Sequence, residues 1–129
     1  MNVISQEWID KAEGDYATAR REQRVRTQPN FDAVCFHAQQ SIEKYLKCLL
    51  CELEKPYAKT HDLEVLLDAV TVDYPLLEAL RSDVQLLTQY AVQYRYPGEN
   101  ADRDEAREAL KAMKRVRKVL RLTLHLNND

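Results

Sequence analysis

One stretch without glycine or proline, Asn30–Leu53, most constrains the fold of this chain. Its about 24 residues would form a helix roughly 36 Å long at ~1.5 Å per residue. Apolar and small side chains recur every three or four positions, which places them on one helix face. A second apolar row widens that face, so we expect neighbouring helices to cover this one from two sides. The two rows are Phe31, Cys35, Ala38, Ile42, Tyr45, Leu49 and Leu53, then Val34, Leu46 and Leu50.

A polar row on the same central helix gives the first indication of function. Polar side chains on a buried helix cost free energy unless they meet partners or line a cleft. The row therefore predicts either a cleft or a buried hydrogen-bond network. Its members are His37, Gln40, Lys44 and Lys47, with Gln39 and Glu43 beside them.

Composition excludes several classes of protein. The 129 residues suffice for one domain, and we expect a single domain over 1–129. The net charge of −2 provides no overall basic field to attract nucleic acid. No apolar run reaches the ~18 residues of a membrane span, so no membrane association is expected. The absence of an export signal and the odd number of cysteines favour a cytoplasmic location.

No cofactor or metal is expected from the sequence. Cys48 and Cys51 form a CxxC pattern, but without a second pair the thiols are better interpreted as small apolar fillers of the helix. Di-iron bundles use Glu-x-x-His pairs on facing helices, and this chain contains no such pair.

Five helices joined by short connections predict an all-α fold, an antiparallel up-and-down bundle of four or five helices. The first would cover residues 5–24 after Ser5 as N-cap. Asn30 would cap the central helix, and a short third helix would follow Asp62. The fourth would run from Pro75 to about residue 94, and Asp102 with Glu105 would begin the last.

Two clusters outside the central helix have both a functional and a structural interpretation. Arg95 lies among tyrosines before a glycine turn, where it would bind phosphate or cap helix carbonyls. Six basic residues between Lys111 and Arg121 would form a solvated helix face or, as the less favoured alternative, a surface for RNA. They are Lys111, Lys114, Arg115, Arg117, Lys118 and Arg121.

Four motifs in order resemble the HEPN domain, the helical module found beside or fused to minimal nucleotidyltransferases. They are AxxDY (Ala12, Asp15, Tyr16), then CFHAQQSIEKYLKCLL, KTHDLEVLL and YRYPG. FHAQQSIEKYLK is the most specific of them. The resemblance covers about residues 6–121.

The resemblance implies a helical bundle that is usually a homodimer, whose cleft binds a nucleotide (ATP-like) or RNA or docks a partner nucleotidyltransferase. It also implies that many relatives act in toxin–antitoxin or defence pairs, and that many are metal-independent ribonucleases. Those enzymes carry Arg, four to six residues, then His. Here the positions that follow Arg95 at this spacing are Asn100, Ala101 and Asp102, so that motif is missing.

The sequence instead resembles the branch that lacks this histidine, described as the substrate-binding subunit of a two-component nucleotidyltransferase. The resemblance assigns cleft residues and no catalytic residue to this chain, with transfer chemistry on a separate chain. Two alternatives stay open: a ribonuclease using His61 or His37 with Arg95, and a small dimer whose polar row binds nothing. The nucleotide- or substrate-binding residues that the resemblance implies are Gln40, Lys44, His61, Asp62 and Arg95, joined by Lys47 and by Tyr94 or Tyr96, one of which would stack on a base.

Overall fold

The chain, described by a computed structural model over residues 1–57, 59–92 and 96–128, is an all-α bundle as predicted. Five α-helices and one 3₁₀ segment follow one another, and the described residues include no strand. The elements are α1 (Val3–Gln23), α2 (Phe31–Glu52), α3 (Leu63–Thr71), a 3₁₀ helix (Pro75–Leu80), α4 (Arg81–Thr88) and α5 (Arg103–Thr123).

Helix α2 is the centre of the bundle, because it packs against α1, α3, α4 and α5. Both predicted apolar rows are used: Val34, Ile42, Tyr45 and Leu46 have no exposed surface. Asn30 caps the helix as expected, since its side-chain oxygen accepts from the backbone N–H of Ala33 at 3.0 Å.

Helix α1 lies antiparallel to α2 and begins earlier than predicted. Asn2 is the N-cap, because its side chain accepts from the N–H of Ser5 at 2.8 Å. The assignment of Ser5 as N-cap is therefore wrong. Ser5 is buried within the helix, and its hydroxyl donates to Glu52 at the far end of α2 at 2.7 Å.

The spacing of apolar residues in α1 predicts a buried stripe of Ile4, Trp8, Ala12, Tyr16 and Ala19, and its first position is wrong. Ile4 is 58% exposed, and Ile9 takes a buried position instead. The cause is the rotation of the helix, which turns Ser5, Ile9 and Ala12 toward α2.

The chain after α2 runs back along this helix before α3 begins. We call residues 54–57 and 59–62 the returning segment. Its last residues reach the first half of α2, where the His61 carbonyl accepts from Gln39 at 3.0 Å. The return places two loop side chains, Tyr57 and His61, beside the polar row of α2.

The predicted fourth helix is divided and shorter. Pro75 begins a 3₁₀ helix rather than an α-helix, and α4 ends at Thr88 instead of near residue 94. Apolar periodicity does not distinguish a 3₁₀ turn from an α-turn over so few residues. The last helix begins as predicted, because Asp102 accepts from the Glu105 N–H at 2.8 Å.

We predict that Leu46→Ala lowers the free energy of unfolding by about 2–5 kcal/mol, because Leu46 has no exposed surface and truncation leaves a cavity. The matched control is Leu76→Ala, the same change at a side chain 91% exposed, with an expected effect within about 0.5 kcal/mol. Urea unfolding of both variants measures the difference. Equal losses would contradict the position of α2 at the centre of the core.

Candidate functional site

Asp15 connects α1 to the polar row of α2. One of its carboxylate oxygens lies 2.8 Å from Nδ1 of His37, and the other forms an ion pair with Lys44. The carboxylate is only 11% exposed, while His37 and Lys44 are 24% and 21% exposed. A nearly buried carboxylate thus holds one histidine and one lysine at the surface.

Glu43 makes an equivalent arrangement on the side of α2 that faces the returning segment. Its Oε1 lies 2.9 Å from Nδ1 of His61 in the returning segment, and its Oε2 accepts from Lys47 at 3.1 Å. The Glu43 side chain is 4% exposed, whereas that of His61 is 66% exposed. Again one buried carboxylate orients one histidine and one lysine.

Two glutamines occupy the space beside the Glu43 centre. Gln39 donates to the Glu43 carboxylate at 3.2 Å and to the His61 carbonyl at 3.0 Å. Gln40 donates to the Gln39 side chain at 2.7 Å. At 100° per residue, Gln40 and Lys47 lie between the α2 positions that contact α1 and those that contact the returning segment. We call Gln39, Gln40, Glu43, Lys44 and Lys47 the α2 polar face.

The α2 polar face can offer hydrogen-bond donors to an anion. An ammonium group has three N–H donors, and the contacts to Asp15 and Glu43 each use one. A neutral His61 that donates its Nδ1 proton to Glu43 presents Nε2 as an acceptor, whereas a protonated ring presents a donor. The same carboxylates that balance the lysine charges also fix where these groups lie.

Trp8 and Tyr57 form an aromatic pair beside Lys47. The indole N–H of Trp8 donates to the Tyr57 hydroxyl at 3.0 Å, which connects α1 to the returning segment. The Lys47 ammonium lies 5.7 Å from the centre of the Trp8 ring, within cation–π distance. Lys47 therefore contacts both the aromatic pair and the Glu43 centre.

A second charged network, on the opposite edge of α1, has a structural role. Arg117 donates two hydrogen bonds to the Glu13 carboxylate, at 2.8 and 2.6 Å. Arg121 donates to the Tyr45 hydroxyl at 2.9 Å, and that hydroxyl donates to Glu13. Arg117 also lies 4.0 Å over the Tyr16 ring. These contacts connect α1, α2 and α5.

The predicted solvated basic face on α5 is therefore wrong for two of its six members. The side chains of Arg117 and Arg121 are only 11% and 14% exposed, because they point toward Glu13 and Tyr45. Lys114, Arg115 and Lys118 are exposed as expected, although Arg115 pairs with Asp83.

The Glu13 network shifts the pKa of three of its groups, and the hydrogen bonds to Glu13 raise the pKa of Arg117. Burial raises the pKa of the Glu13 carboxyl, but the hydrogen bonds from Arg117 and Tyr45 outweigh burial, so this pKa lies below its ordinary value. Burial and the hydrogen bond to Glu13 raise the pKa of Tyr45 to about 12.

Three of the predicted site residues come together in the structure. Gln40, Lys44 and His61 all lie on or beside the α2 polar face, and Lys47 joins them. Sequence reasoning did not assign site roles to Trp8, Asp15 and Tyr57. Asp15 lies within a motif that carries the resemblance, and its spacing of three residues from Ala12 and seven from Trp8 places it on the same side of α1 as these residues.

Of the other predicted site residues, the structure describes Asp62 and Tyr96. The Asp62 side chain caps α3 by accepting from the Glu64 N–H at 2.9 Å. Tyr96 is 65% exposed in the segment before α5. Tyr94 and Arg95 lie outside the described residues, and their roles stay predictions.

The three cysteines occupy positions of α2 outside the α2 polar face. Cys35 and Cys48 are buried, and burial beside Glu52 raises the pKa of Cys48 to about 12, which keeps it a thiol. In the part of the chain that the structure describes, no group of three or more His, Cys, Asp or Glu side chains could hold a metal ion. No helix there has the length and apolarity to cross a membrane.

Comparison with known proteins supports the resemblance found in the sequence. The family model described as the HEPN domain matches residues 5–123. The crystal structure of TT1696 from Thermus thermophilus is similar in fold, with a TM-score of 0.77 and 24% identity over 92% of this chain and 96% of that one. The structure of ST0689, an archaeal HEPN homologue, gives a TM-score of 0.68 and 21% identity over 95% and 98%. No curated protein has a significantly similar sequence.

We predict that Glu13→Gln flattens the acid dependence of stability. Because the pKa of folded Glu13 is lowered, its stabilising contribution is present above the unfolded value of 4.5 and is lost as pH falls through the folded value. Wild type should therefore lose more unfolding free energy than the variant between about pH 5 and pH 3. Urea unfolding at several pH values measures this. Exposed Glu54→Gln is the control and should follow wild type; a Glu13→Gln curve parallel to wild type would refute the assignment.

Proposed function

The chain belongs to the HEPN domain family, and we propose that it is a nucleotide- or substrate-binding module that acts with a separate minimal nucleotidyltransferase. The observation that carries the binding proposal is the α2 polar face, where Gln40, Lys44 and Lys47 lie between two carboxylate-held histidines. The proposal that the partner is a minimal nucleotidyltransferase is supported by family membership alone.

The binding role follows from how the α2 polar face is held. Lys44 is 21% exposed and is anchored by a nearly buried carboxylate, so a ligand would meet a donor whose position is already set. Lys47, anchored in the same way but only 9% exposed, lies behind it. Preorganisation of this kind lowers the entropy lost on binding. His61 adds an exposed ring beside them, and Gln40 adds an amide. This set of donors suits the oxygens of a phosphate group.

Arg95 and the tyrosines on either side of it belong to the same proposal on the strength of the resemblance. Arg95 would add a forked donor to the phosphate, and Tyr94 or Tyr96 would stack on the base. Asp62 takes its main role as the cap of α3, which fixes the position of the neighbouring His61.

The wider setting is proposed from the family. The module would form a homodimer, the transfer chemistry would take place on the partner chain, and the two proteins would constitute a toxin–antitoxin or defence pair. A cytoplasmic location fits the three cysteines, all unpaired, because disulfides are rare in that compartment.

We predict that a nucleotide or a short RNA raises the melting temperature of the pure protein and that Lys44→Met abolishes the rise. Ligand at 100 times its dissociation constant should stabilise the fold by about 2.7 kcal/mol, which shifts the melting temperature by a few degrees. ATP, GTP and a short RNA are tested against each variant's own ligand-free baseline. The matched control is Lys114→Met on the exposed face of α5, which should keep the full shift. Absence of a shift with all three ligands in wild type would overturn the binding proposal.

A metal-independent ribonuclease is the second candidate, and the Glu43–His61 pair favours it. A buried carboxylate on Nδ1 of an exposed histidine is the arrangement that orients a general base. His61 would take the proton from a 2′-hydroxyl while Arg95 and the lysines hold the phosphate. The 2′-oxygen would then bond to phosphorus as the bond from phosphorus to the 5′-oxygen breaks, and the leaving 5′-oxygen would take a proton from the protonated His61 or from water.

This second candidate predicts cleavage of single-stranded RNA in the presence of a chelator, reduced at least ~100-fold by His61→Ala and by Arg95→Ala. His125→Ala, at the exposed carboxyl end, is the control and should cleave normally. Gel analysis of a labelled RNA measures the rates. Equal cleavage by wild type and both site variants would identify a contaminating nuclease and exclude this activity.

A further inference from the structure

A small cavity lies beside the α2 polar face and has no role in the site as described so far. Its volume is about 140 Å³, and it is lined by Ile4, Glu7, Trp8, Lys11 and Tyr57. Ligand pockets for whole drug-sized molecules measure roughly 300–1,000 Å³. This cavity is therefore too small for a complete nucleotide and suits a single planar group.

Two aromatic rings give the cavity a fixed shape. Trp8 and Tyr57 meet edge to face, with ring centres 5.9 Å apart and planes at 77°. Their hydrogen bond of 3.0 Å prevents either ring from turning freely. Ile4 adds an apolar surface, while Glu7 and Lys11 are exposed at the rim. A flat ring would find a stacking surface below it and polar groups at its edge.

Lys47 connects the cavity to the candidate phosphate site. Its ammonium lies 5.7 Å from the Trp8 ring centre and 3.1 Å from the Glu43 carboxylate that also holds His61. A group seated against Trp8 is thus adjacent to cationic donors. Base stacking on an aromatic side chain beside a basic residue is a recurrent mode of nucleotide recognition.

We infer that the Trp8–Tyr57 cavity is the base subsite of the nucleotide site. The nucleobase stacks on Trp8, its edge meets Glu7 and Lys11, and its sugar and phosphate extend toward Lys47 and His61. This inference rests on the proposed binding function and names its ligand as a mononucleotide. It gives the stacking role to Trp8 instead of Tyr94 or Tyr96.

Trp8 is the single tryptophan of the chain, so its fluorescence reports on this cavity alone. AMP, GMP, CMP and UMP are titrated while calorimetry measures binding independently. At least one should quench Trp8 emission saturably, with the same dissociation constant by both methods. Inorganic phosphate alone should leave the emission unchanged.

Two matched variants test the contact without changing the tryptophan. Ile4→Asp puts a carboxylate into the cavity at a side chain 58% exposed, and we expect at least tenfold weaker binding. Val3→Asp puts the same charge on the preceding residue, 74% exposed and outside the lining, and should change binding less than twofold. Both sites tolerate the change, because acidic residues suit the first turn of a helix.

The outcomes separate this inference from the proposed function. Calorimetric binding without quenching, and with Ile4→Asp equal to Val3→Asp, would overturn the base subsite and leave the binding module standing. Absence of binding for all four nucleotides by calorimetry would overturn the base subsite, and the proposed function would fall with it if ATP, GTP and the short RNA also left the melting temperature unchanged.

Discussion

A carboxylate buried on a central helix must be paired, and this requirement organises the candidate site. Glu43 is 4% exposed and would be strongly destabilising without its partners. Those partners are Lys47 on the same helix and His61 in the returning segment. The same electrostatic need brings Asp15 of α1 to Lys44 and His37. The charges of α2 thus determine which parts of the chain lie beside it, while its apolar rows provide the bulk of the packing.

The two kinds of charged network in the bundle differ in what they leave exposed. Around Glu13 the arginines, the tyrosine and the carboxylate satisfy one another, and both arginines are nearly buried. Around Asp15 and Glu43 the carboxylates are buried but the histidines and Lys44 reach the surface. The first arrangement is typical of a helix junction, and the second is typical of a site.

Much of the fold could be predicted because it depends on local signals. The caps at Asn30 and Asp102 and the apolar rows of α2 are readable from neighbouring residues. Asp15 and Lys44 are far apart in sequence, and no local pattern indicates that they meet. The burial of Arg117 likewise depends on Glu13, a residue of the first helix. The 3₁₀ helix that begins at Pro75 was predicted as an α-helix, because the spacing of so few apolar residues fits either helical type.

The side chains of the α2 polar face and of the Trp8–Tyr57 cavity come from the stretch between Ile4 and His61, while α3, α4 and α5 pack behind it. The first half of the chain therefore carries these polar and aromatic groups, and α3, α4 and α5 are the helices that pack behind them. Substitutions in α3, α4 and α5 can accumulate, provided that they preserve volume, without changing these side chains. The groups proposed for recognition are thus separable from the packing of α3, α4 and α5, and a designer could alter the exposed side chains of α1 and α2 without changing that packing.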